Sequence, residues 1–363
     1  MTVFWKLRRE LSRLKQQILS MPAFFFEARK QRQYDRDFEQ HIQVVQGIDT
    51  DSSLYALLLC YQPDGLSAST LFTCQHLRSH GYKVLLVSNA AIAATTLVDV
   101  QAHVWRIIVR PNFGYDFGGY RDGIRLLKNW GVKLERLLII NDSIWYPLYK
   151  HDAALKEIAS SHAEFHGAIQ LSKHDRPTKI FYESYFYGFS GRFFNHSKFT
   201  EFWSNYKLSN IKYRAVKAGE RGFSKAMLTW SVNHNPIFHR EKMLLAMTEQ
   251  HSEFLLNTLK YAAYIDSAFE LRGHQLVSAF VDNTLWRDQA LSHIRSVATR
   301  RHFHASFCYA SIQLLGVPFL KKSTAPLHIA MRRQFVAAVL AGDLPMPSSV
   351  SMFEEINRRD ASI

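Results

Sequence analysis

Four short apolar runs recur early in the chain, at residues 54–61 (LYALLLCY), 84–87, 105–109 and 137–140. Each is of strand length, and the first is apolar without alternation, the pattern of a strand covered on both faces. Between them, residues 68–80 and 124–130 read as helical. Strand–helix alternation at this spacing requires right-handed crossovers and builds a largely parallel sheet. The expected class is therefore α/β, a mostly parallel sheet flanked by helices. Ligands of such sheets gather beyond the carboxyl ends of the strands. The residues to watch are those just past each run: Asp64, Asn89, Asn112, Asp116, Asn141, Asp142 and Ser143.

Outside this core the composition shifts. Residues 1–36 carry nine Lys/Arg against three acidic residues, six of the chain's fourteen net positive charges. Phe4, Leu7, Leu11, Leu14 and Ile18 follow one helical face, ringed by Lys6, Arg8, Arg9, Arg13 and Lys15, with Phe24, Phe25 and Phe26 after Pro22. A basic amphipathic helix beside an aromatic cluster suits an anionic membrane surface; a helix docked on the body, or a dimer seam, would show the same pattern. No apolar run reaches eighteen residues and no signal-peptide pattern is present, so the expected location is cytoplasmic. Cys60, Cys74 and Cys308 show no CxxC spacing and read as buried free thiols. With no RNP motif, zinc knuckle or basic–aromatic ladder, no nucleic-acid partner is expected. From about residue 243 the chain is mostly helical. The expected division is 1–50, a basic helical segment; 51–245, the α/β domain; and 246–363, a helical region.

Two strand-end motifs carry the chemistry. In RPNFGYDFGGYRDG (110–123), Pro111 ends a strand, and Gly114, Gly118 and Gly119 permit close backbone approach to a ligand. Asp116 among them can accept hydrogen bonds from a nucleotide, or can cap the following helix. The glycines do not form GxGxxG, which argues against a dinucleotide fold. In INDSIWYPL, Asp142 offers an oxygen ligand to a hard divalent cation, with Asn141 and Ser143 as neutral contacts; the alternative is a simple Asx turn. Arg121 and Arg125, one helical turn apart, can reach phosphate or line a solvated face. Trp145, Tyr146, Tyr185 and Tyr187 can stack on a sugar or fill a core. The histidines lack HExxH spacing, and the HFH at 302–304 presents both rings on one face only if extended, so no zinc site is expected. No GxSxG occurs, which leaves a serine hydrolase unsupported.

The combination of the segment from LYALLLCYQPDG to VLLVSNA, RPNFGYDFGGYRDGI, LLIINDSIWYPL, SYFYGFSGRFF and GVPFLKK resembles the rhamnan synthesis protein F family of bacterial polysaccharide assembly, over roughly residues 54–322. The resemblance implies a GT-A-like glycosyltransferase: a Rossmann-like half for the nucleotide diphosphate and a second half for the acceptor. It implies transfer, with inversion, of a deoxyhexose from a donor such as dTDP-rhamnose to a lipid-linked saccharide, at the inner face of the cytoplasmic membrane. Asn141, Asp142 and Ser143 then occupy the place of an Asp-x-Asp motif. Asp142 would hold Mg²⁺ or Mn²⁺, although one carboxylate in place of two leaves metal dependence open. Asp64, Asn89, Asn112, Asp116 and Arg121 would contact the nucleotide sugar. Glu220, near an expected helix start, would be the general base, with Glu183 as second choice. The missing carboxylate also suits a non-catalytic sugar-binding or scaffold subunit.

Overall fold

The computed structural model describes residues 21–173, 176–300 and 302–359. The amphipathic stripe from Phe4 to Ile18 lies outside them. Eleven strands are present among the described residues: β1 (Gln43–Gln46), β2 (Leu54–Cys60), β3 (Lys83–Ser88), β4 (Arg106–Val109), β5 (Arg136–Asn141), β6 (Ile144–Trp145), β7 (Phe165–Lys173), β8 (Arg176–Tyr182), β9 (Phe186–Ser190), β10 (His234–Phe238) and β11 (Leu320–Lys321). The main sheet runs β1-β4-β3-β2-β5-β9-β7-β10, with β8 on β7.

The four runs seen in the sequence are β2 to β5, and they pair in parallel as β4-β3-β2-β5. Helices Ala68–Ser79, Ala94–Gln101 and Tyr115–Asn129 supply their crossovers. The rest departs from the mostly parallel expectation. β9 lies antiparallel to both β5 and β7, β8 is antiparallel to β7, and β1 is antiparallel to β4. No helix separates β7, β8 and β9 in the chain, and short connections between neighbouring strands force antiparallel pairing. The sheet is mixed.

Side-chain alternation divides each central strand between two cores. Ala56, Leu58, Val84, Leu86, Leu138 and Ile140 face one side, where they meet Leu77, Ile158, Met243, Leu255, Ile294 and Phe307. Leu57, Leu59, Leu85, Val87, Leu137 and Ile139 face the other, against Phe117, Ile124, Phe199, Trp203 and Phe223. The helices after β10 thus share a core with the sheet. All three cysteines are buried free thiols, and burial pushes the Cys74 thiol up to about 12.

The glycines after Pro111 serve packing, where the sequence suggested ligand approach. A Cβ on Gly118 would stand 2.1 Å from the Phe113 carbonyl oxygen, and one on Gly119 would stand 2.3 Å from Leu59 Cδ1. Gly119 lets helix Tyr115–Asn129 lie directly on β2, and Gly118 leaves room for the Phe113 carbonyl at the helix start. Gly114 is the N-cap of that helix at φ 90°, in the left-handed region glycine tolerates.

Candidate functional site

The carboxyl ends of β2 and β5 are neighbours, because the two strands pair from Leu54–Arg136 to Leu59–Asn141. Asp142 therefore emerges beside Tyr61. Its Oδ2 accepts from the Tyr61 backbone N–H at 2.9 Å and from the Gln62 side-chain amide at 3.0 Å. Asn141 is buried and ties the edge together: its Nδ2 donates to Asp116 Oδ2 at 3.0 Å, while its Oδ1 accepts from the Ser143 N–H (3.1 Å) and hydroxyl (2.6 Å). The two motifs separated in sequence thus meet at one amide.

Opposite them stands a segment whose part was not legible in the sequence. β11 pairs antiparallel with β6, Lys321 opposite Ile144, and the Lys322 N–H donates to the Ser143 carbonyl at 2.8 Å. The lysines of GVPFLKK are thereby held against the strand end that carries Asp142. The terminal helix Val350–Arg359 completes the wall. Its Glu355 accepts from the Ser69 N–H (3.0 Å), the Ser69 hydroxyl (2.5 Å) and Trp145 Nε1 (3.0 Å). The result is an open cleft of about 1110 Å³ lined by Asp64, Asp142, Ser143 and Trp145, with Lys212, Lys321, Lys322, Arg358 and Arg359. Five cations around three carboxylates, Asp64, Asp142 and Glu355, give it a net positive interior.

Asp116 opens to solvent in this region yet lies deep within the protein mass. Poor hydration there, reinforced by the Asp142 charge, raises its pKa to about 6, against the pull of Lys321 and Lys212. It lies in the first turn of helix Tyr115–Asn129, whose N-cap is Gly114, so the capping position open in the sequence is not the one it occupies. Burial lowers the Lys322 pKa, while Asp142 and Glu355 oppose the effect.

Glu220 does not begin a helix. It lies in a π-helical turn, Lys217–Arg221, between helices Lys212–Val216 and Gly222–Thr229. Such turns recur at functional sites. Its Oε2 accepts from the Ser184 N–H at 3.1 Å and hydroxyl at 3.2 Å, and burial with the nearby Glu183 charge raises its pKa. Glu183 behaves oppositely. Burial alone would raise it, but Lys321, His304, His302 and His328 outweigh that and hold it below the usual carboxylate range. Its Oε1 stands 3.7 Å from Lys321 Nζ, and its Oε2 stands 3.9 Å from His302 Nδ1 and 4.0 Å from His304 Nε2. Glu183, His302 and His304 lie close enough together to hold a metal ion.

Not every expected residue reaches the cleft. Asn89 is buried, takes a bond from Arg110 Nη1 at 2.6 Å and donates to Asn112 at 3.3 Å, so this pair sits farther along the same sheet edge. Arg121 is buried on the other side of its helix, bonded to Asp35 and 3.5 Å from Asp122. Arg125 is 3.4 Å from the same Asp35. Both arginines fasten helix Met21–Arg36 to the body. Tyr146, Tyr185 and Tyr187 are core residues; Trp145 is buried too but edges the cleft.

The fold is that of a mixed α/β protein with a positively charged cleft at the carboxyl edge of its sheet. Residues 84–266 match the family described as rhamnan synthesis protein F, and the chain belongs to that family. This ties it to the synthesis of rhamnan polysaccharide. It is also 26% identical over 343 residues to the uncharacterized protein y4gN of Sinorhizobium fredii, covering 91% of this chain and 86% of that one. A virulence protein, VirA, of Vibrio anguillarum is 31% identical over 121 residues, which is 32% of this chain and 36% of that protein. No helix among the described residues is long and apolar enough to cross a membrane.

Proposed function

We propose that the protein is a GT-A-like glycosyltransferase that moves a deoxyhexose, with inversion, from a nucleotide-diphosphate donor to a growing cell-surface saccharide. The observation that carries this reading is the ring of Lys212, Lys321, Lys322, Arg358 and Arg359 about the Asp142 strand end. The division of the sheet supports it: four parallel strands make a Rossmann-like half, and β9, β7 and β10 make a second half suited to an acceptor. dTDP-rhamnose is the first donor to try, with a lipid-linked saccharide as acceptor.

Departure of a nucleoside diphosphate leaves negative charge on the β-phosphate. Preorganised cations beside it stabilise the transition state more than the ground state. Lys321 and Lys322 are held for this by the β6–β11 ribbon. Asp64, Asp116 and Ser143 are the polar groups available to the nucleotide and sugar. Glu220, with its raised pKa and fixed carboxylate, is the group suited to take the proton of the acceptor hydroxyl. Glu183 is held in its charged form by its cationic neighbours and is a weaker base.

Mg²⁺ or Mn²⁺ fits Asp142 poorly. A hard dication wants several oxygens, but here one carboxylate already accepts two hydrogen bonds and shares its cleft with five cations. The reading therefore places diphosphate stabilisation on side chains.

A panel of nucleotide sugars, followed by melting shift and sugar transfer, tests the proposal. One donor should stabilise the protein, Lys322→Ala should weaken the shift, and Glu220→Gln should keep binding but lose transfer. If no nucleotide sugar shifts melting, with or without divalent ions, the enzyme reading fails and the scaffold role takes its place.

A further inference from the structure

The histidines near the end of the helical region fit neither the cleft nor ordinary core packing. His304 is 3% exposed, and neither of its ring nitrogens has a hydrogen-bond partner among the described residues. The same holds for both nitrogens of His328 and for Nδ1 of His302. Five unpartnered imidazole nitrogens in one cluster are costly, since buried polar atoms nearly always find partners. His302 is the N-cap residue of the short helix Phe303–Ser306, so the chain turns after it, and both rings come to face Glu183 Oε2 although the HFH segment is not extended throughout.

We propose that Glu183, His302 and His304 bind a Zn²⁺ ion. Two imidazoles and one carboxylate form a three-ligand zinc set that leaves a fourth position open, and nitrogen donors select against Mg²⁺. The remaining geometry agrees. The ligand atoms all lie within 4.8 Å of one another, so drawing them onto an ion asks for a closing of roughly half an ångström at each imidazole–carboxylate gap. Lys321 approaches the other carboxylate oxygen, Oε1, and leaves Oε2 to the ion. Tyr185 donates to Oε2 at 3.2 Å, the kind of outer contact that orients a metal-binding carboxylate. His302 and His328 both line a cavity of about 650 Å³ with Arg221, His239 and Arg240. His302 thus borders a space large enough for an oxygen-bearing ligand. This site is separate from the Asp142 strand end, where the donor is read to bind.

The full chain, stripped by a chelator, would be titrated with Zn²⁺ by calorimetry, and with Co²⁺ by visible absorption. We expect one equivalent of Zn²⁺, intense tetrahedral Co²⁺ bands, and no heat with Mg²⁺. His302→Ala, at the partly exposed ligand, and Glu183→Gln should each lower Zn²⁺ affinity more than about tenfold while far-ultraviolet dichroism stays native. Nucleotide-sugar melting shifts recorded on the same samples keep this result apart from the transferase reading. Absence of stoichiometric Zn²⁺ binding overturns the proposal. So does binding that both folded variants retain at full strength.

Discussion

The ammonium of Lys321 stands 3.7 Å from the Glu183 carboxylate and 4.0 Å from the centre of the Tyr185 ring, while its backbone pairs with Ile144 beside Asp142. One side chain thus joins the cationic cleft to the histidine cluster. Lys321→Ala should leave Glu183 buried beside fewer positive charges and cost about 2–4 kcal/mol of stability, by analogy with broken buried pairs. Adding Glu183→Gln should restore part of that loss. A double-mutant cycle in urea measures the coupling, and strict additivity would show that the pair is not energetically linked.

Lys322 is expected to act on ligand more than on fold. Its pKa is lowered by burial, so its removal also relieves a desolvation cost. Lys322→Ala should leave the melting temperature nearly unchanged and weaken nucleoside-diphosphate binding by about tenfold to a hundredfold, the scale of one charge-assisted contact. Isothermal titration of both proteins with the diphosphate product decides it.

Replacing Asp116 should give a stability gain at the expense of binding. Its folded pKa, about 6, exceeds the reference value of 3.8, so the fold favours the protonated form. The resulting penalty appears as pH rises above 3.8 and is complete above 6. Asp116→Asn should therefore raise the melting temperature at pH 8 and leave it unchanged at pH 3.5. Because the residue opens to solvent, the gain is about 1 kcal/mol at most. Donor affinity of the same variant should fall.

His166 governs part of the acid response. It is 1% exposed on β7, and burial, aided by Arg136, lowers its pKa from 6.5 to about 4. The unfolded chain binds the proton first, so stability is present above pH 6.5 and is lost as pH falls toward 4. Between pH 7 and pH 5 the loss is about 2 kcal/mol. His166→Gln should flatten that part of the profile, as read from urea midpoints at the two pH values.

Gly119→Ala tests the packing role of the glycine-rich stretch. The new methyl would meet Leu59 Cδ1 at 2.3 Å and force helix Tyr115–Asn129 off β2. A loss of about 1–3 kcal/mol is expected, the usual cost of overpacking. Equal stability of wild type and variant would return the glycine to a ligand role.

The parallel half was legible because its strands are covered on both faces, and continuous apolar runs such as LYALLLC report that directly. The β7–β8–β9 unit was not, since its aromatic-rich segments do not state pairing direction. Asp64, Asp142 and Ser143 could be placed at the cleft because strand ends are where such sheets expose polar groups. Arg121 could not be sorted from them, as the partner that buries it, Asp35, lies 86 positions away. Lys321, Lys322, Arg358 and the histidine cluster escaped for the same reason: their neighbours are remote in sequence and no local pattern names them. The doublet after the apolar run GVPFL, at the edge of a motif already noticed, was the one available hint for the lysines.

The docking of helix Val350–Arg359 through Glu355 onto Ser69 and Trp145 also sets an order of events in the life of the chain. The sheet edge with Asp142 is complete once β5 and its neighbours have folded, but two of the five cations arrive only with residues 358 and 359. During synthesis, nearly half of the chain must still emerge after β9 closes that edge before the cleft acquires its full charge. A nascent chain would then be unable to hold donor tightly, and ligand capture would become a property of the finished protein alone.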